Sequence, residues 1–180
     1  MRATSWLLTL PLGLGLGLLL AHGCGPPVGG PCDGAGRCVC AQGDRCEFDC
    51  PTQHDCDVRC DSVAVCDAGC VDRCDLACVN GSDCALTCQH DCALACDAVA
   101  TCDTTCGDRC DFLCSDTAVC KVSMGPDSAA RCERVGTCEV ECAGACALTC
   151  EGAGTCALAC AGGEAIDCGG GRKVCAPQAC

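Results

Sequence analysis

Thirty-one of the 180 residues are cysteine, a side chain that can ligate soft metals, act as a nucleophile or bond to a second copy of itself. Spacing separates these chemistries. Thioredoxin-type exchange and many thiolate metal clusters use Cys-x-x-Cys, which does not occur; a single Cys-x-Cys, Cys38 and Cys40, does. No basic neighbourhood lowers a thiol pKa, and Asp and Glu beside cysteines push the other way. From Cys46 to Cys168 the cysteines instead follow a lattice with an 18-residue repeat and spacings of 4, 4, 4 and 6. Ordered spacing of this kind reads as a fold rather than a metal store.

One further row has ligand-bearing side chains. His54, Asp72, His90 and Asp108 recur at intervals of 18, and two imidazoles with two carboxylates can hold a divalent metal. A straight row does not surround an ion tetrahedrally, so a solvated turn edge with His–Asp hydrogen bonds is the plainer reading. Asp67, Asp75, Asp103 and Asp111 recur on alternate repeats, where loose Ca²⁺ attraction is weighed against simple solvation. The only histidines beyond the leader are His54 and His90, and Gly-x-Ser-x-Gly is absent. The chain reads as a non-enzyme without a cofactor.

The elements that position these residues follow from Cys-x-Φ-x-Cys units, in which Φ is small or apolar, as at Phe48, Leu76, Phe112 and Leu158. A degenerate last unit places Ile166 between Glu164 and Cys168. In a strand, residues i, i+2 and i+4 share one face, so both cysteines and the centre point inward together. A helix would turn the centre away. From the second repeat onward, breaks alternate between three residues (71–73, 89–91, 107–109) and five (79–83, 97–101, 115–119). Two short strands and two turns thus make one coil. The spacing predicts an all-β, flattened, disulfide-braced β-solenoid of about seven 18-residue coils. The residue before each third cysteine reads Asp55, Arg73, Asp91, Arg109, Asp127, an alternation that suits stacked coils.

Met124 and Ser128 stand where the lattice calls for cysteine, flanking one short turn, and partners tend to be lost together. This suggests second-to-third pairing: Cys50–Cys56, Cys70–Cys74, Cys88–Cys92, Cys106–Cys110 and Cys142–Cys146. First-to-fourth pairing follows in a flattened coil: Cys46–Cys60, Cys66–Cys78, Cys84–Cys96, Cys102–Cys114, Cys120–Cys132, Cys138–Cys150 and Cys156–Cys168. The rival is pairing between coils, i with i+18. Glu164 leaves Cys160 to join Cys175 or Cys180 in an irregular end, and Cys32, Cys38 and Cys40 form a similar odd set at the other.

Residues 1–23 carry Arg2, a short apolar run and the small-residue stretch Ala21-His22-Gly23 before Cys24, an export signal rather than a membrane span. Export brings the thiols into an oxidising compartment. Beyond the leader only Phe48 and Phe112 are aromatic, so covalent staples must replace a bulky core. Removing Arg2 takes the net charge from −13 to −14, which disfavours nucleic acid as a partner. Expected boundaries are signal 1–23, Gly/Pro linker 24–31, irregular N-terminal cap 32–45, solenoid 46–168 and C-terminal cap 169–180.

The stretch before Cys24 resembles a lipobox, and the Cys-x3-Cys array behind it resembles the cysteine-rich repeat lipoproteins of myxobacterial type. That resemblance implies acylation of Cys24, membrane attachment through it and a bacterial cell envelope, with secretion as the alternative. The architecture also resembles disulfide-laced antifreeze β-solenoids, but the outward slot Gly69, Thr87, Thr105, Ser123, Glu141, Ala159 is too irregular for an ice face. The function expected is a structural or surface-interaction protein, with a cell-surface protein or polysaccharide as the partner class left open. The second reading is extracellular or periplasmic metal binding.

Overall fold

The computed structural model describes residues 36–180. The expected signal, the 24–31 linker, Cys24 and Cys32 lie outside the described residues. Two long strands come first, β1 (Arg37–His54) and β2 (Asp57–Asp72). Ten shorter ones follow: β3 (Asp75–Val79), β4 (Asp83–His90), β5 (Ala93–Asp97), β6 (Thr101–Asp108), β7 (Asp111–Ser115), β8 (Val119–Met124), β9 (Ser128–Glu133), β10 (Thr137–Cys142), β11 (Cys146–Glu151) and β12 (Thr155–Cys160). A terminal pair, β13 (Ile166–Gly169) and β14 (Arg172–Val174), closes the chain. There is no helix among the described residues.

The strands form the two walls of a β-solenoid of about seven turns. One wall stacks β3, β5, β7, β9 and β11 in parallel on Asp57–Asp61 of β2. The other stacks β4, β6, β8, β10 and β12 on the second half of β2, beginning at Val65. Because β2 runs through the corner between them, both walls belong to one continuous sheet. Each step joins residue i to i+18, as in Cys84 to Cys102 to Cys120. The first coil is longer. Cys40 sits on Cys60 and Cys50 on Cys70, then a register shift brings His54 onto Asp72, absorbing two extra residues. Residues 37–45, expected as an irregular cap, therefore already lie in solenoid register.

Alternation decides which side chains fill the space between the walls. In β4, Cys84, Leu86 and Cys88 are buried while Asp83, Ala85 and Thr87 face out, the period-2 pattern of a half-buried strand. The inward columns read Val58, Leu76, Leu94, Phe112, Ala130, Leu148 on one wall and Ala68, Leu86, Thr104, Val122, Val140 on the other, all buried. Rows of sulfur flank each column, so the interior is narrow and one apolar residue wide. A third inward position is legible in the sequence only in retrospect. The middle of the five-residue break carries Val63, Val99, Thr117 and Val135, each buried, and Gly81. A Cβ on Gly81 would meet the Val63 carbonyl oxygen at 2.9 Å.

Apart from the short turn at 143–145, the turns from Asp55 to Gly152 pass through a residue of positive φ. The long turn uses Ser62, Asn80, Ala98, Asp116, Arg134 and Gly152, and the short turn uses Asp55, Arg73, Asp91, Arg109 and Asp127. The N–H of such residues donates along the solenoid axis to the next coil, as from Asn80 to the Asp97 carbonyl at 3.0 Å and from Arg73 to His90 at 3.1 Å. Backbone pairing thus continues around the corners, which leaves few unsatisfied groups there.

The C-terminal end reverses direction. β14 pairs antiparallel with β11, placing Val174 opposite Ala147, and β13 pairs with β14. Val174 is fully buried, and Lys173 Nζ donates to the Cys156 carbonyl at 2.8 Å. A terminal unit of different geometry covers an edge that would otherwise invite further strands. Ile166, read from sequence as a last inward centre, is 45% exposed, so the parallel coils end at β12 and the cap begins before residue 169.

Candidate functional site

Sulfur chemistry is concentrated along two edges, one over the short turns and one over the long. Over the short turns the structure joins Cys70–Cys74, Cys88–Cys92, Cys106–Cys110 and Cys142–Cys146, with Cα separations of 6.3 to 6.5 Å. Met124 and Ser128 occupy the corresponding slots of their coil, both buried. The Ser128 hydroxyl there accepts from the Cys110 N–H at 3.1 Å. A thioether and a satisfied hydroxyl thus fill the room of a missing bridge.

Over the long turns the first-to-fourth pairing is corrected. Cys46 bonds Cys40 and not Cys60, which bonds Cys66; Cys78, Cys96 and Cys114 bond Cys84, Cys102 and Cys120. Cys132 bonds Cys138, and Cys150 bonds Cys156. None of Cys66–Cys78, Cys84–Cys96, Cys102–Cys114, Cys120–Cys132, Cys138–Cys150 or Cys156–Cys168 forms, and neither does pairing between i and i+18. The reason lies in the five-residue break. Its inward middle residue folds the chain back on itself, and the flanking cysteines come within 6.1 to 6.6 Å at Cα, inside the range a disulfide spans. The cap is tied by Cys160–Cys175 and Cys168–Cys180.

The Cys50–Cys56 disulfide expected from the lattice is also absent: both side chains carry thiols. They hydrogen-bond to each other, and both are buried. Burial, then the hydrogen bond with Cys56 and the electrostatic influence of Cys56 and Asp49, push the Cys50 thiol up to about 12. Such a group is a poor nucleophile at neutral pH.

The row His54, Asp72, His90, Asp108 exists as a backbone column, in register from coil to coil. The His54 side chain lies outside the described side chains. His90 Nδ1 approaches Asp108 Oδ2 to 3.4 Å without hydrogen-bond geometry, and Arg109 Nη1 stands 3.5 Å from the same oxygen. The ligand atoms that gather most closely are sulfurs instead: those of Cys56, Cys70 and Cys74 lie within 4.8 Å of one another.

The alternating charge column forms a ladder of ion pairs. Arg73 grips Asp55 through Nε and Nη2 at 2.9 and 3.4 Å, and Arg109 grips Asp91 at 2.6 and 2.7 Å. The long turn holds an equivalent that sequence reading missed, Arg134 on Asp116 at 2.8 and 2.6 Å. Its signal was present in the 18-residue interval. The guanidinium contacts hold the Asp91 and Asp116 carboxyls below the usual carboxylate range. All of these groups are solvent-exposed, so the ladder orders turns more than it adds stability.

Two open surfaces remain. On the first wall a groove of about 540 Å³ has a floor that includes Ala77, Ala93, Ala95 and Ala129, with Asp75 and Asp111 beside it and Leu113 40% exposed. On the second wall Thr105, Ser123, Glu141 and Ala159 line a shallower one. Asp67 and Asp103 are each separated by an Ala in the next coil, as are Asp75 and Asp111, so these carboxylates do not stack directly. The molecule belongs to the class of cysteine-rich, disulfide-laced β-solenoids. No protein-family model, curated protein or solved structure matches the chain. Disulfides at this density point to an oxidising compartment outside the cytoplasm.

Proposed function

We propose that the protein is a non-enzymatic, exported structural or surface-interaction module, held to a bacterial cell envelope by acylated Cys24. The observation that carries this reading is the double ladder of short disulfides, one bridge over almost every turn of the described coils. A chain stapled this way resists local opening, which is what a protease needs. The exposed side chains are mostly small or acidic. Among the described residues the strongest titratable contacts on the surface are the ion pairs of the turns, which order the coils. Long repeat surfaces of this kind suit extended partners, and the alanine-floored groove fits a cell-surface protein or polysaccharide better than a small enclosed substrate.

The test is proteolysis of the exported protein with and without a strong reductant, combined with mass analysis of its N-terminal peptide. Survival for hours when oxidised, rapid digestion when reduced and a diacylglyceryl mass on Cys24 are the expected results. Equal digestion in both states would end the scaffold reading. An unmodified N-terminus would end the anchor alone.

A further inference from the structure

Over every short turn of the described coils two side chains meet at the edge of the core. Four turns carry disulfides and one carries Met124 and Ser128. The first carries two thiols, Cys50 and Cys56. Both are buried, at 7% and 1% exposure, and share a hydrogen bond. Cys50 stands in register with Cys70, and the Cys56 sulfur lies within 4.8 Å of both sulfurs of the Cys70–Cys74 bridge. Three sulfurs from two coils thus gather in one place, and the Cys50 sulfur adjoins them through its hydrogen bond to Cys56. The turn between Cys50 and Cys56 is also two residues longer than the bridged short turns, and those residues are taken up in a register shift.

We propose that Cys50 and Cys56 form a two-thiolate site for a soft monovalent d¹⁰ cation of the copper(I) class. Sulfur ligands and a buried setting select soft ions over Ca²⁺ or Mg²⁺, which need oxygen. Zn²⁺ wants four strong ligands in a tetrahedron, and the two further sulfurs are tied to each other. Two thiolates suit an ion content with two-coordinate binding. Binding forms two S–metal bonds, breaks the two S–H bonds and releases two protons to solvent. No electron is transferred, and the Cys70–Cys74 bond stays intact. The Asp49 carboxylate nearby adds negative charge that favours a cation. The site is independent of the scaffold role, since it uses the one cysteine pair of the described short turns that staples nothing.

Silver(I) is the probe, because it is soft and d¹⁰, and it is added at no more than one ion per protein so that the thiol pair competes for it ahead of the disulfides. The exported protein is mixed with silver nitrate in chloride-free buffer, desalted and weighed by native mass spectrometry, with Zn²⁺ in a parallel sample. One retained silver ion in the wild type, no retained zinc and loss of that silver in Cys50→Ser are expected. Intact-mass thiol counting of Cys50→Ser should show its disulfides unchanged, which separates loss of a ligand from loss of the fold. Three results would each overturn the proposal: no retained silver in the wild type, equal retention by Cys50→Ser, or peptide mapping that recovers Cys50 and Cys56 crosslinked.

Discussion

The two edges of the solenoid are built from the same residue type yet differ in how they tolerate loss. Along the long-turn edge, from Cys40–Cys46 to Cys150–Cys156, each described turn is bridged, and in several an inward residue such as Val99 or Val135 fills the middle, whereas Gly43 and Gly81 leave theirs without a side chain. Along the short-turn edge one coil has Met124 and Ser128 in place of a bridge, and another holds two thiols. The three-residue turn between Met124 and Ser128 is already compact, so its strands stay aligned without a bridge, whereas the unbridged Cys50–Cys56 turn has five residues and takes up the excess in a register shift. Five-residue turns have more freedom to lose. The closure entropy of either loop is worth about 2 kcal/mol in the chain-entropy picture, slightly more for the longer one. The inward plug then adds apolar burial that depends on the bridge holding the turn shut.

Removing both ladders at once should have the largest effect. Full reduction is expected to abolish the β-type circular dichroism at room temperature, because the remaining apolar core is one residue wide. A reduced protein with an unchanged spectrum would mean that the walls stand without their staples. Next in size is a single long-edge bridge. Cys96→Ala with Cys102→Ala should cost about 2–3 kcal/mol in denaturant unfolding, and Cys88→Ala with Cys92→Ala somewhat less. The reverse order would invert the comparison between edges.

The gap in the short edge offers a test of opposite sign. Met124→Cys with Ser128→Cys should close a new disulfide and add up to about 2 kcal/mol, reduced by the lost packing of Met124. Failure of the pair to oxidise would show that this coil differs from its neighbours in backbone as well as sequence. Smaller again is the turn ladder. Arg109→Ala and Arg134→Ala should each lower the melting point slightly, and salt should erase the difference.

Acid gives the smallest change. The Asp91 and Asp116 carboxyls lie below their ordinary range in the folded protein, so their contribution is fully present above the unfolded carboxylate value. It is lost as pH falls through the depressed folded value. A melting point that is flat from neutrality to about pH 4 and falls below it is expected. A drop that begins well above the carboxylate range would show that these two ion pairs do not set the acid response.

Much of the fold could be read from spacing because a repeat makes each residue predict the next. Cys84, Leu86 and Cys88 announce an inward strand face, and Cys102, Thr104 and Cys106 repeat it one coil on. The Asp55, Arg73, Asp91, Arg109 column was visible for the same reason. The Asp116–Arg134 pair was missed because its column begins with Ser62, Asn80 and Ala98, where positive φ rather than charge sets the residue. Of the candidate site, the His54, Asp72, His90, Asp108 row was legible as a column but not as a cluster. The gathering of Cys50 and Cys56 beside Cys70–Cys74 was hidden by the two extra residues of the first coil.

The sequence by itself determined the repeat length, the inward columns and the need for an oxidising compartment, since these depend on which side of a strand a residue faces and on what a narrow core must contain. Only the tertiary structure decided which sulfur meets which. Cys78 shares its edge with Cys66 across the coil, Cys84 across the turn and Cys60 and Cys96 along the column, and all five point inward. Alternation cannot distinguish among them. The path of the five-residue turn, folded in with Gly81 close against the Val63 carbonyl of the preceding coil, selects Cys84.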